Sequence, residues 1–331
     1  KRNRLNPVIL LKQKMNFANS DILFSMDNPK KIPVTIITGF LGAGKTNFIN
    51  GILKNYVELK FALVENEFGE VNIDSKLIKG LEASRMFELK NGCICCTISN
   101  EYELALAELA EKFPDIDHLI IETTGIANPA PVIRPFFADE NLTKLFHFNG
   151  TVCIVDALNY HRYPAKAVAN KQIAVADYIF ITKAEELNTE QKRALSDEVK
   201  RINHYAKTAF TEFGFAPDFH LSQVSYQFKV FPEFEVNEQT HGTIQTKTFR
   251  FIQPLELDEF KDWLSYHLDI YKEQVYRIKG ILCFENEPYY YILQGVGGGF
   301  ELTESDQLVD ENNNLIVIIG NLQGIELKYS G

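Results

Sequence analysis

Three features of this 331-residue chain predict an α/β fold, a doubly wound, mostly parallel sheet followed by a smaller α+β domain. From Lys31 to about Phe210, short apolar runs alternate with helical patterns, the pattern of strands covered on both faces by crossover helices. The turn Gly39 to Gly44 lies between the first apolar run and the first helical pattern, where open α/β sheets form their ligand sites. Beyond residue 243 strand-like runs follow one another with a single helical pattern among them.

The opening segment, residues 1–30, starts basic and has an apolar run only from Val8 to Leu11, too short for the core of a secretory signal. Met15, Met26 and a first residue other than Met suggest a displaced start or a disordered tail. Residues 31–213 are expected to form the first domain. Its strands are Val34 to Thr38, Phe61 to Val64, His118 to Ile121, Thr151 to Val155 and Tyr178 to Ile181. Lys45 to Leu53, Ser99 to Lys112 and Thr189 to Ile202 read as its helices. Residues 214–243, rich in Phe, Pro and Glu without a sustained period, are the expected linker. In residues 244–331 the strands are Gln245 to Phe251, Val275 to Phe284, Tyr289 to Gly295 and Leu315 to Ile319, with Asp258 capping a helix that runs to His267. Gly297, Gly298 and Gly299 read as a flexible hairpin or loop without a ligand.

With 34 basic against 44 acidic residues, a net charge of −10 argues against nucleic acid or anionic lipid as a partner. No apolar stretch is long enough for a membrane span, and a cytoplasmic location is expected. Five cysteines, an odd number, do not make a disulfide framework, so a reducing compartment and metal or thiol chemistry are the expectation.

Gly39-Phe40-Leu41-Gly42-Ala43-Gly44-Lys45-Thr46 matches G-x-x-x-x-G-K-[ST] between a strand and a helix. Gly39, Gly42, Ala43, Gly44 and the adjoining Asn47 belong to a backbone cradle for phosphates. Lys45 adds charge at the β/γ-phosphates, and the Thr46 hydroxyl can ligate Mg²⁺. At a second strand end, Glu122-Thr123-Thr124-Gly125 sets Glu122 to act on the Mg²⁺ shell and Gly125 to sense the γ-phosphate. Lys45, Thr46 and Glu122 are therefore the catalytic candidates. At a third, Thr182-Lys183-Ala184-Glu185 occupies the place of the N/T-K-x-D base-recognition loop of GTPases. A carboxylate there accepts from guanine and would stay unpaired against adenine. Glu185 stands where the pattern has Asp, so a surface Lys and Glu without a base contact stays an alternative.

Cys93-Ile94-Cys95-Cys96 places three thiols within four residues after Gly92. Such a set suits Zn²⁺, Co²⁺ or Cu⁺ and leaves one tetrahedral position open; inert thiols or a redox pair are the alternatives. Glu65 and Glu70, in the run after the second strand, are candidates to complete the shell, against a solvated acidic loop. Cys153 and Cys283 sit singly in apolar strands and read as core residues.

These motifs together resemble the CobW family of P-loop GTPases, relatives of the nickel-insertion GTPases of urease and hydrogenase. The C-x-C-C element between the phosphate loop and the E-T-T-G strand is the specific mark, and Tyr276-Arg277-Ile278-Lys279-Gly280 and Gln294-Gly295-Val296 look like the family's carboxy-terminal domain. The resemblance implies a GTP-dependent metallochaperone or insertase using GTP, Mg²⁺ and Zn²⁺ or Co²⁺; the sequence shows no assured water-positioning glutamine or arginine finger, so slow intrinsic hydrolysis is expected. Cys93, Cys95, Cys96, Glu65 and Glu70 match its metal positions. A metalloprotein client is implied as partner, and a homodimer stays open. The His-rich linker insert of many zinc-handling members is absent, since seven histidines are scattered. The rival readings are a non-catalytic metal sensor, a cobalt-handling accessory of cobalamin synthesis, a small-molecule P-loop kinase and a thiol redox protein.

Overall fold

The computed structural model describes residues 30–66, 99–211, 219–224, 239–241, 244–325 and 329. The first sheet holds β1 (Ile32–Gly39), β2 (Phe61–Asn66), β3 (His118–Thr123), β4 (Phe146–Asp156), β5 (Tyr178–Thr182) and β6 (Lys207–Phe210). These strands lie in the order β2-β3-β1-β4-β5-β6, every pair parallel. Because β1 is flanked by β3 and β4, the chain winds outward from it in both directions, and the ligand crevice of such a sheet opens beyond its carboxyl end.

Alternation along each strand feeds two cores. Ile37, Val152, Ile154 and Phe180 face α1 (Lys45–Asn55), which turns Phe48, Ile49, Ile52 and Leu53 toward them. On the other face Ile36 and Ile121 meet Leu106 and Leu109 of α2 (Ser99–Lys112). Further along that face, Cys153, Val155 and Ile181 meet α6 (Lys166–Ala174) and α7 (Thr189–Ile202) through Ile173, Leu195 and Val199. Between β3 and β4 lie three short helices, α3 (Ala130–Ile133), α4 (Pro135–Ala138) and α5 (Glu140–Leu145). Closely spaced prolines at 129, 131 and 135 limit the first two to about one turn each and hide any helical period there. β4 starts five residues before the expected Thr151. A bulge accommodates the extension: Phe148 and Gly150 oppose the consecutive Val34 and Thr35, so Asn149 is the extra residue. After β6, residues 219–224 return beneath α1, where the Phe219 ring lies 5.0 Å from Phe180 and 5.7 Å from Phe48.

The second sheet is antiparallel throughout, β11-β10-β9-β12-β8-β7. Its strands are β7 (Gln239–His241), β8 (Ile244–Phe251), β9 (Val275–Leu282), β10 (Tyr289–Val296), β11 (Gly299–Leu308) and β12 (Asn314–Gly320). Two expectations change here. The helix α8 (Leu257–Ile270) is capped by Glu256, not Asp258: the Glu256 carboxylate accepts from the Glu259 N–H at 2.6 Å, which moves the start back. The third glycine of the 297–299 run is the first residue of a ten-residue strand, β11, so the run is a hairpin turn.

β12 is buried on both faces. Leu315, Val317 and Ile319 join the core of α6 and α7, while Ile316 and Ile318 pack against Phe260, Leu264 and Leu268 of α8. The second sheet is therefore layered between α8 and the helices of the first. At about 1.5–3 kcal/mol for each fully buried aliphatic side chain, this interface is a major part of the fold. An ionic knot lies inside it. Asp177, just before β5, accepts from Arg277 at 2.7 Å and pairs with Lys279 at 2.5 Å, both on β9, and all three side chains are buried. No helix of the described residues is long and apolar enough to cross a membrane.

Candidate functional site

β1 runs into its loop through Gly39, held at φ +142 against β4. A Cβ there would stand 2.3 Å from the Ile154 carbonyl oxygen, so only glycine fits. Gly42 at φ +75 and Gly44 at φ +100 complete the curl. No side chain caps α1 at Gly44, so the helix start presents backbone N–H groups and the positive end of its dipole to the crevice. Lys45 is buried and arches back along the loop. Its Nζ donates to the Gly39 carbonyl at 3.1 Å and stands 3.9 Å from Glu122 Oε1. Thr46 follows half-buried in the first turn of α1, and Asn47 is exposed.

Glu122 reaches this place because Ile37 and Glu122 are paired in the β1/β3 register. The Thr123 hydroxyl donates to the Thr38 hydroxyl at 2.9 Å and ties the two strand ends. Beyond them Gly125 is pressed against the loop, where a Cβ would lie 2.5 Å from the Leu41 nitrogen. Gln172 of α6, buried, donates to the carbonyls of Gly125 and Ala127 at 3.2 Å each.

The end of β5 closes the other side. The Thr182 hydroxyl donates to the Ala43 carbonyl at 2.8 Å. Lys183, in the left-handed region at φ 55, donates from Nζ to the Gly42 carbonyl at 2.7 Å and to Asp156 Oδ2 at 2.7 Å. Glu185 lies exposed two residues further on. Gly39, Gly42, Ala43, Gly44, Lys45, Glu122, Gly125, Thr182 and Lys183 are thus assembled around one loop, with opposite charges held close in a partly dry setting.

Glu65 is the penultimate residue of β2, in register with Glu122 of β3; only its backbone is described. Cys93, Cys95, Cys96 and Glu70 lie outside the described residues. Among the described residues no three His, Cys, Asp or Glu side chains are grouped as a metal site. Cys153 and Cys283 are free buried thiols, and burial pushes the Cys153 thiol up to about 12, an inert core residue.

Asp156, Gln172 and Asp177 were not among the candidates from the sequence. Burial works against the Asp156 charge, but hydrogen bonds from Lys183 and Asn159 and the Lys183 charge outweigh it and hold the carboxyl below its usual range. A carboxylate ending the run Cys153 to Val155 was the available signal for Asp156; Gln172 carries none, because an amide inside a helix is ordinary.

Residues 33–210 match the family model described as CobW/HypB/UreG, nucleotide-binding domain, and residues 244–328 match the cobalamin synthesis protein CobW carboxy-terminal domain. The chain is 33% identical over 278 residues to the zinc chaperone YjiA of Escherichia coli, covering 80% of this chain and 86% of that protein. It is 27% identical over 354 residues to the zinc-regulated GTPase metalloprotein activator 1 of Saccharomyces cerevisiae, covering 88% and 80%. The crystal structure of Zn(II)-bound YjiA GTPase from E. coli superposes with a TM-score of 0.62 at 30% identity, covering 88% of this chain and 94% of that one. A phosphate loop set between β1 and α1, a carboxylate at the end of β3 and an antiparallel second sheet accompany this likeness, and the chain belongs to the CobW/HypB/UreG family.

Proposed function

We propose that this chain is a GTP-dependent metallochaperone that hydrolyses GTP slowly and hands a metal ion to a client metalloprotein. The observation that carries the reading is the convergence of three strand ends on one phosphate loop: Lys45 beside Glu122 at 3.9 Å and Lys183 on the Gly42 carbonyl at 2.7 Å. The names of the E. coli and S. cerevisiae relatives, a zinc chaperone and a zinc-regulated GTPase, support it.

In this reading Gly39, Gly42, Ala43, Gly44 and Asn47 hold the phosphates, with Lys45 as the point charge that meets the developing negative charge. Thr46 would supply a hydroxyl ligand to Mg²⁺ and Glu122 a carboxylate beside it, and the ion when bound would neutralise phosphate charge. Gly125, pressed on Leu41, registers whether a γ-phosphate is present. Thr182, Lys183 and Glu185 take the guanine side. Intrinsic hydrolysis is expected to be slow, because the sequence offers no assured water-positioning glutamine or arginine finger. Cys93, Cys95 and Cys96, with Glu65 and Glu70, hold Zn²⁺ or Co²⁺ as cargo. Thiolate cargo sites need a reducing compartment, and the cytoplasm suits this. Functionally, residues 31–213 hold nucleotide, 214–243 connect, and 244–331 offer the client part of its docking surface.

Linkage supplies the test: a nucleotide that tightens metal binding is itself tightened by metal. Zn²⁺ and Co²⁺ are titrated competitively into reduced protein with Mg²⁺ and a non-hydrolysable GTP analogue, with GDP, or with neither, and again into Cys95→Ala. Tighter binding with the GTP analogue, lost in Cys95→Ala, is the expected result. Equal affinity in all three nucleotide states would overturn the coupling and favour a metal sensor or a thiol protein.

A further inference from the structure

Resting on the nucleotide reading above, we infer that Asp156 is the positioning residue for Lys183, and that through Lys183 it sets the distance between the β5 end and the phosphate loop. Asp156 is the last residue of β4, 1% exposed, and both its oxygens are committed. Oδ1 accepts from the backbone N–H groups of Leu158 at 2.9 Å and Asn159 at 3.1 Å. Oδ2 accepts from the Asn159 amide at 2.8 Å and from Lys183 Nζ at 2.7 Å. The carboxylate is therefore immobilised before Lys183 arrives, so the cost of ordering it is already met by the fold.

Lys183 has the opposite character. Its side chain is 42% exposed, and four rotatable bonds would let it trail into water. The charge-assisted bond to Asp156 holds the ammonium against Gly42 in the phosphate loop, where it makes its second bond at 2.7 Å. An ammonium has three protons, so two of the three are spent on fixing the loop geometry. Without the carboxylate, the Gly42 carbonyl alone must retain a half-exposed cation, and a neutral acceptor holds it less firmly. The next turn of the same segment adds a second brace on the loop, since Tyr163 stacks on Phe40 with ring centroids 4.1 Å apart. The Asp156 to Tyr163 segment thus braces the phosphate loop at two points.

The test is a double-mutant cycle on affinity for a fluorescent GDP analogue, in full-length wild type, Asp156→Asn, Lys183→Met and the double variant, with thermal melting measured alongside. Asp156→Asn should weaken the analogue by about tenfold or more, the scale of one charge-assisted hydrogen bond. In the Lys183→Met background the same change should have little further effect, because the residue acts through Lys183. If Asp156→Asn does not fold, Asn159→Ala removes one brace on Oδ2 and should give a smaller loss that also vanishes with Lys183→Met. Losses that multiply in the double variant, or a lowered melting temperature with unchanged affinity, would overturn the positioning role. Wild type that binds no guanine nucleotide would instead overturn the nucleotide reading itself.

Discussion

At Gly125 a methyl group has nowhere to go. Its Cβ would stand 2.5 Å from the Leu41 nitrogen and 2.7 Å from the Leu41 Cα, and those backbone atoms cannot swing aside as a flexible side chain would. Gly125→Ala should displace the phosphate loop and lower nucleotide affinity by about tenfold or more, the scale of one lost charge-assisted hydrogen bond to phosphate. Titration with the fluorescent GDP analogue measures this, and an unchanged affinity would show that the loop adjusts freely. A second residue matters to the fold alone. His118 opens β3, is 5% exposed and shares a hydrogen bond of 2.8 Å with the Thr35 hydroxyl, which also accepts from the Asn149 amide. Burial holds its pKa down at about 4, from an ordinary 6.5. The unfolded chain thus binds a proton that the folded one refuses, so stability is full above pH 6.5 and falls as pH drops toward about 4. Urea unfolding between these limits should show wild type losing stability faster than His118→Gln, and equal slopes would refute the assignment. The phosphate-loop residues and Glu122 could be read from the sequence because each belongs to a contiguous motif. His118, Thr35 and Asn149 could not, because they meet across three strands.

Among the elements, α7 shows how a boundary can be written locally. Asn188 accepts from the Gln191 N–H at 2.9 Å while Gln191 accepts from the Asn188 N–H at 3.0 Å, a reciprocal cap. Asn188→Ala should cost about 1 kcal/mol, a lowering of the melting temperature by about 1–2 °C measurable by circular dichroism. The expected limits of this helix, Thr189 to Ile202, are the observed ones. The β10–β11 turn is another matter. Gly297 and Gly298 are left-handed at φ +57 and +92, the pair a tight hairpin requires. A Cβ on Gly297 would lie 2.9 Å from Ala130 Cβ of α3, so the glycine also makes room for a neighbouring element. The conformational half of this requirement is visible in three consecutive glycines; the packing half depends on α3, whose prolines conceal it. The early start of β4 was likewise concealed, since His147, Asn149 and Gly150 break the apolar pattern and only the β1 register draws them into the sheet.

For the whole molecule, the Asp177 knot joins the two sheets. Burial works against the Asp177 charge, but Arg277 and Lys279 prevail and hold its carboxyl below the usual range. Lys279, buried and sharing that carboxylate with Arg277, is itself pulled down to about 8. Removing one partner of a buried ionic group leaves uncompensated charge, so Asp177→Ala should lose about 3–5 kcal/mol in urea unfolding. A loss below about 1 kcal/mol, typical of a surface pair, would mean that water already reaches the knot. The sequence by itself determined the parallel sheet, the phosphate loop at the end of its first strand, the strand-end Glu122 and Thr182-Lys183 motifs, and the presence of further strands after residue 243. Each is encoded within a short contiguous stretch, where periodicity and turn chemistry act locally. Only the tertiary structure decided that Asp156 holds Lys183 and that Asp177 holds Arg277 and Lys279. Partners separated by 27 and 100 positions meet through strand order and sheet stacking, and burial then makes their charges strong.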